Sequence, residues 1–247
     1  MTPRAPGGGM LVVLEGGEGV GKTTQWRQLA QALRDAGREV VAVREPGGTA
    51  AGDRVRALLL DPDAPLTAEA EALLFAASRA QLVREVIQPA LARGALVLVD
   101  RFLLSTYAYQ GAGRGLPMAA LRSINAVATA GLAPTCTVLL TLPLPEAMAR
   151  MAARGAADRM EREEAAFHAR VAHAFTEALS PAWQAAHPEV GPVCAVDAAG
   201  PPEVVLARCL AVLAPWLRSP AASPPMSPPR SGPSRPADHA AVPLRHG

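Results

Sequence analysis

The stretch G-G-E-G-V-G-K-T-T, Gly16 to Thr24, follows directly on the apolar run M-L-V-V-L-E and opens a segment of helical periodicity. Gly16, Gly21, Lys22 and Thr23 fill the pattern G-x-x-x-x-G-K-[ST] in the strand-to-helix setting that the pattern requires. This junction constrains the fold more than any other feature. It calls for a buried strand, a glycine-rich turn and a helix whose positive end faces an anion. The backbone N–H groups of Gly16, Gly17, Glu18, Gly19, Val20 and Gly21 are expected to curl around phosphate oxygens, with Thr24 beside them. Lys22 is placed to reach the β and γ phosphates of a nucleotide and Thr23 to hold Mg²⁺. The bland alternative is a turn that merely joins strand to helix. Against it, Lys22 is the only lysine in a chain that uses arginine at every other basic position. A compact ammonium fits between phosphates where a guanidinium fork does not.

Four further apolar runs rich in Val and Leu read as strands: 39–44, 95–100, 136–142 and 192–197. Like the first, over 10–15, they lack polar alternation, as a parallel sheet covered on both faces demands. Helical periodicity begins near Gly21, Ala51, Thr67, Met118, Pro145 and Arg162 and runs again from Pro202 to Trp216. The alternation predicts a doubly wound α/β fold: a five-stranded parallel sheet with helices on both faces. Strand three ends at Asp100, where a carboxylate holds a metal through water in such proteins.

The 247 residues suit one α/β domain over 10–217. Residues 1–9 read as a flexible extension or a misassigned start, with Met10 as the alternative first residue. From 218 onward the chain is proline- and serine-rich, reads as a disordered tail, and offers proline pairs as a less favoured polyproline ligand. A net charge of +2 gives no general affinity for nucleic acid. The first residues lack an apolar signal core and no run approaches a membrane span. Cys136, Cys194 and Cys209 read as free thiols. A cytoplasmic protein is expected.

No N-K-x-D segment is present to read guanine, which argues against a regulatory GTPase. Arginines stand instead at element ends: Arg44, Arg101, and Arg154, Arg159 and Arg162 around a later loop. Two phosphorylated substrates would need such charge neutralisation. An acceptor phosphate is ionised at neutral pH and requires no strong base, and no Ser-His-Asp or Cys-His constellation is visible.

Four segments then carry a family resemblance: E-G-G-E-G-V-G-K-T-T, R-E-P-G-G-T from Arg44, L-L-F-A-A-S-R-A-Q-L from Leu73, and D-R-F-L-L-S-T-Y-A-Y-Q-G from Asp100. In this order, across roughly 10 to 217, the chain resembles bacterial thymidylate kinase. The resemblance implies the P-loop kinase fold with a helical lid at about 150–163, ATP with Mg²⁺ as phosphoryl donor, dTMP as acceptor, and a homodimer. It implies that Phe75 stacks on thymine and that Arg79 meets its edge. Residues four apart share a helix face, although a core Phe75 and a surface Arg79 would show the same spacing.

Carried over likewise, Thr106 and Gln110 meet the base and Tyr109 sits against C2′. Arg101, Arg56 and Arg44 hold the acceptor phosphate, Glu18 approaches the 3′-hydroxyl or the metal, and Pro46 shapes the pocket through a cis bond. The segment A-A-R-G-A-A-D-R-M-E matches the family's lid. Gly19 and Val20 stand where other members place a basic residue, so the resemblance assigns a catalytic cation to Arg154 or Arg159, with Arg159 favoured. Phe102 departs from the Tyr or His that many relatives carry. A deoxynucleoside kinase or a partner-binding P-loop ATPase are the competing readings.

Overall fold

Strands buried on both faces must be covered on both faces, and the computed structural model, which describes residues 8–153 and 159–218, shows how. β1 (Met10–Glu15) leads through the glycine-rich turn to α1 (Lys22–Asp35), and β2 (Val40–Arg44) to α2 (Ala50–Leu60) and α3 (Ala68–Leu82). The chain continues helically through Val83–Ile87 into α4 (Gln88–Ala92), then enters β3 (Leu96–Asp100). α5 (Leu103–Thr106), a π-helical stretch Tyr107–Gly113 and α6 (Met118–Thr129) precede β4 (Cys136–Thr141). After it come α7 (Leu144–Ala152), α8 (Ala165–Glu177), α9 (Pro181–Ala186), β5 (Val193–Asp197) and α10 (Pro202–Leu217).

The five strands are all parallel, in the order β2-β3-β1-β4-β5. Alternate residues serve the two faces. Met10, Val12 and Leu14, with Leu96 and Leu98, face α1 and α10 through Leu29, Leu33, Val205 and Leu213. Leu11 and Val13, with Val97 and Val99, face the opposite layer through Ala72, Leu82, Leu121, Phe167 and Val171. Each fully buried leucine contributes about 1.5–3 kcal/mol. Most strand residues thus meet apolar partners on both faces, and the period-two pattern vanishes from the sequence.

Local chemistry sets the helix ends. Thr49 Oγ1 accepts from Gly52 N at 3.0 Å to cap α2, and Thr67 Oγ1 from Ala70 N at 3.3 Å to cap α3. The π-helical turn Val83–Ile87 lies just before Pro89, which has no N–H to close a bond onto Glu85. The predicted strands and main helices are present, with the helix expected near Arg162 starting at Ala165.

Two helical segments lack any sequence signal. Leu103–Gly113 is almost wholly buried, so it has no polar face to reveal a helical period, and α9 spans only one and a half turns. The ends of β1, β2 and β3 align, since Leu14 and Arg44 both pair with Asp100. This carboxyl edge opens the crevice in which a ligand can sit. Among the described residues no helix is long and apolar enough to cross a membrane. The expectations for residues 1–7, Arg154 and 219–247 lie outside the described residues.

Candidate active site

A cavity of about 550 Å³ runs along the carboxyl edge of the sheet. Its donor end is the loop after β1. Gly19 has φ 73°, and a Cβ there would collide with the backbone carbonyl of Ala147 in α7, so the loop lies against that helix. Gly21, at φ 90°, caps α1 with no side-chain hydrogen bond and open space beside it, and no acid occupies the first turn of the helix. The N–H groups of that turn therefore face the cavity without a side-chain acceptor, which is what an anion site needs.

Lys22 bends back so that Nζ donates to Gly17 O, and Thr23 and Thr24 line the cavity in exposed positions. Burial lowers the Lys22 pKa to about 8; Arg101 adds to the fall, while Glu18, Asp100 and Glu15 oppose it. An ammonium desolvated in this way gains from a polyphosphate.

The turn after β3 carries the next group. Arg101 adopts φ 69°, a left-handed conformation that costs a non-glycine residue about 1–2 kcal/mol. Its backbone N–H donates to Leu14 O at 3.0 Å. Glu15, fully buried at the end of β1, accepts from the N–H groups of Phe102 at 2.8 Å and Ser105 at 3.0 Å, and from Ser105 Oγ at 2.6 Å. The strained turn is thereby fixed.

The Arg101 guanidinium donates to Gly16 O and Ser105 Oγ, both at 3.1 Å, and pairs with Glu18 at 2.5 Å. Burial works against its charge, but Glu18, Tyr109, Asp100 and Glu15 more than offset this and its pKa is raised, so it stays a cation. Tyr109 donates to the same Glu18 oxygen at 2.8 Å and places its ring 4.9 Å under the guanidinium. Asp100 Oδ1 is buried without a hydrogen-bond partner.

At the far end lie Arg44, Glu45, Pro46, Arg56, Phe75, Arg79, Thr106 and Gln110, all on the cavity wall. The Glu45–Pro46 bond is cis. Arg56 donates to Pro46 O at 3.0 Å and Arg44 is exposed. Phe75 is half-buried one turn from Arg79, and Arg79 is in the core, not on the surface. Its partners are Glu45, Thr106, Asn125 and Phe102 O. Gln110 donates to Glu71 at 2.9 Å.

Buried Glu71 also pairs with Arg114 at 2.9 Å and Arg159 at 2.7 Å. Burial alone would raise its pKa, but the bonds from Arg114, Gln110 and Arg159 outweigh it and the pKa is lowered. Arg159 additionally donates to Leu59 O at 2.8 Å and is absent from the cavity wall, whereas Met160 and Glu161 are on it.

Glu18 to Thr24 and the acceptor-pocket residues singled out from sequence all line one cavity, whereas Gly16 and Gly17 are not on its wall and Arg159 faces Glu71. Sequence reasoning missed Glu15, Glu45, Glu71, Ser105, Asn125 and Arg114. It also missed Arg150, which lines the donor side and donates to Ala198 O at 3.3 Å. Glu15 and Glu45 are acids inside or beside apolar strands, a signal that was there to be weighed.

A P-loop before α1, an aspartate at the end of a neighbouring strand and a 2-3-1-4-5 parallel sheet define a P-loop nucleotide-binding protein of the kinase type. The sequence model of the family described as thymidylate kinase matches residues 14–204. The thymidylate kinase of Deinococcus radiodurans is 52% identical over 169 residues, covering 68% of this chain and 82% of that protein. That of a Synechococcus strain is 48% identical over 210 residues, 84% of this chain and 96% of its own length. A crystal structure of thymidylate kinase from Ehrlichia chaffeensis superposes with a TM-score of 0.65 at 26% identity, covering 83% of this chain and 98% of that one. The chain belongs to the thymidylate kinase family.

Proposed function

We propose that this chain transfers the γ-phosphoryl group of ATP to dTMP, giving ADP and dTDP, in the supply of dTTP for DNA replication. The observation that carries this reading is the single cavity that joins a helix-terminal phosphate cradle to a base-sized pocket walled by Phe75 and Arg79. The donor triphosphate lies along residues Gly16 to Thr24, with Lys22 against the β and γ oxygens. The acceptor's base lies between Phe75, Arg79, Thr106 and Gln110, and its phosphate meets Arg101, Arg56 and Arg44, beside Pro46. The Tyr109 ring faces C2′, where a ribose hydroxyl would be buried without a partner. Glu18, already bonded to Arg101 and Tyr109, is near the sugar.

The acceptor phosphate attacks as an anion and needs no base, so the protein's task is alignment and charge neutralisation. Lys22 and Arg101 stabilise charge on the migrating group from two sides of the loop. The orphaned Asp100 Oδ1 and the exposed Thr23 hydroxyl fit a hydrated Mg²⁺: Thr23 would hold it directly and Asp100 through water. Bound there, it would neutralise phosphate charge. A lid arginine completes the set. Because Arg159 is engaged by Glu71 and Leu59, Arg154 is the stronger of the two candidates.

A homodimer in the cytoplasm fits the reading. Leu58 on α2, Leu73 on α3 and Val127 on α6 are exposed, and α2 and α6 both pack against α3. Sedimentation should show a dimer that Leu73→Glu with Val127→Glu converts to monomer. The reaction is tested by incubating the protein with γ-labelled ATP, Mg²⁺ and dTMP. Label in dTDP is the expected result; label released only as inorganic phosphate would overturn it.

A further inference from the structure

The acceptor pocket contains a deeply buried ion pair. Glu45 Oε2 accepts from Arg79 Nε at 2.8 Å, with the two side chains 3% and 2% exposed. Glu45 Oε1 has no hydrogen-bond partner. An ionised carboxylate half unsatisfied in the core is costly, and hydrophobic replacements usually serve stability better. Its presence here points to a task of orientation.

The donor inventory of Arg79 shows what is oriented. A guanidinium carries five N–H groups in a rigid plane. Nε serves Glu45; Nη1 serves Thr106 Oγ1 at 3.0 Å and Asn125 Oδ1 at 2.5 Å; Nη2 serves Phe102 O at 3.1 Å. One Nη2 hydrogen remains without a partner among the described residues, on a side chain that contributes to the cavity wall. The plane of the fork is fixed from four directions. Glu45 is the only charged partner of the four, and its carboxylate is therefore the strongest anchor.

Resting on the reading that Arg79 meets the acceptor's base, we propose that Glu45 is a positioning residue of that pocket. Its carboxylate sets the plane of Arg79 so that the one free Nη2 hydrogen is presented to a carbonyl oxygen on the base edge. Glu45 does not itself touch the substrate.

Thymidine tests this without a phosphate of its own. In Glu45→Gln its inhibition constant against dTMP is expected to rise roughly five- to tenfold, since the charge-assisted bond that holds the fork becomes a neutral one, with the loss falling on KM for dTMP more than on kcat. Glu45→Asp, which keeps the charge, is expected to recover part of that loss, and it carries the test should the glutamine variant not fold. Arg79→Ala separates the two levels of the claim. If it leaves thymidine binding intact, the base-reading role falls and the role of Glu45 with it. If it weakens binding while Glu45→Gln keeps wild-type affinity for thymidine and wild-type KM for dTMP, only the proposal for Glu45 is overturned.

Discussion

The two ends of the cavity are built by opposite means. The donor end is mostly backbone: a glycine turn, the uncapped start of α1 and one lysine, all within Gly16 to Thr24. The acceptor end is mostly side chain, and several arginines on or behind its wall are tethered to carboxylates. Arg79 is held by Glu45, Arg101 by Glu18, and Arg114 and Arg159 by Glu71. Backbone N–H groups read a phosphate wherever it comes from. A tethered fork instead fixes directions in space, which is what choosing one base and aligning one phosphate require. The donor end thus supplies charge complementarity and the acceptor end supplies geometry.

Substitutions can break or sharpen this contrast. The largest effect belongs to Lys22→Ala, expected to lower kcat by about 10²–10³-fold, as loss of one preorganised donor to a charged transition state does. A loss below tenfold in steady-state turnover would show that the donor end does not depend on its one ammonium. Arg101→Lys keeps the charge and removes the fork that joins Gly16 O, Ser105 and Glu18. Its kcat/KM for dTMP should fall on the order of 10²-fold, the cost of misplacement by about 1 Å. Near-normal activity in that variant would mean that charge suffices at the acceptor end too.

Smaller effects are expected where the tether serves the scaffold. Arg159→Ala removes a charge-assisted bond to Glu71 and should cost roughly tenfold, mainly in KM for dTMP. Arg154→Ala should cost more in kcat, and comparing the two by single-turnover kinetics assigns the lid cation. The smallest effect is one of pH. Lys22, with its pKa lowered to about 8, is charged at pH 7 and largely discharged above pH 8.5. The affinity of the free protein for ATP, measured by calorimetry, should therefore weaken about fourfold between pH 7 and pH 8.5. Strengthening across that interval would reverse the sign of the argument.

The same contrast explains what was legible in the sequence. The phosphate cradle is contiguous, so its residues, their order and their setting can be read off one stretch of chain. Strand ends were legible for a related reason: an aspartate or arginine closing a Val-Leu run stands at the rim of a buried sheet, as Asp100 and Arg44 do.

The tethers are another matter. Glu45 and Arg79 are 34 positions apart, Glu15 and Ser105 are 90, and neither spacing nor period announces the pairing. Leu103 to Gly113 hid its helical form because burial on all sides erases amphipathicity. Arg159 pairs with Glu71, whose buried carboxylate no local pattern announces, and stands off the cavity wall. The cis bond before Pro46 depends on the folded context around it and on nothing in the local composition.

The most direct test of the whole account is selectivity at the acceptor end. ADP release should be followed with ATP and Mg²⁺ while dTMP, dUMP, UMP, dCMP, dAMP and thymidine are offered separately to the full chain. The account predicts clear preference for dTMP, weaker turnover of dUMP, and little with UMP, dCMP, dAMP or thymidine. Turnover of thymidine in preference to dTMP, or ATP hydrolysis indifferent to every acceptor, would contradict it.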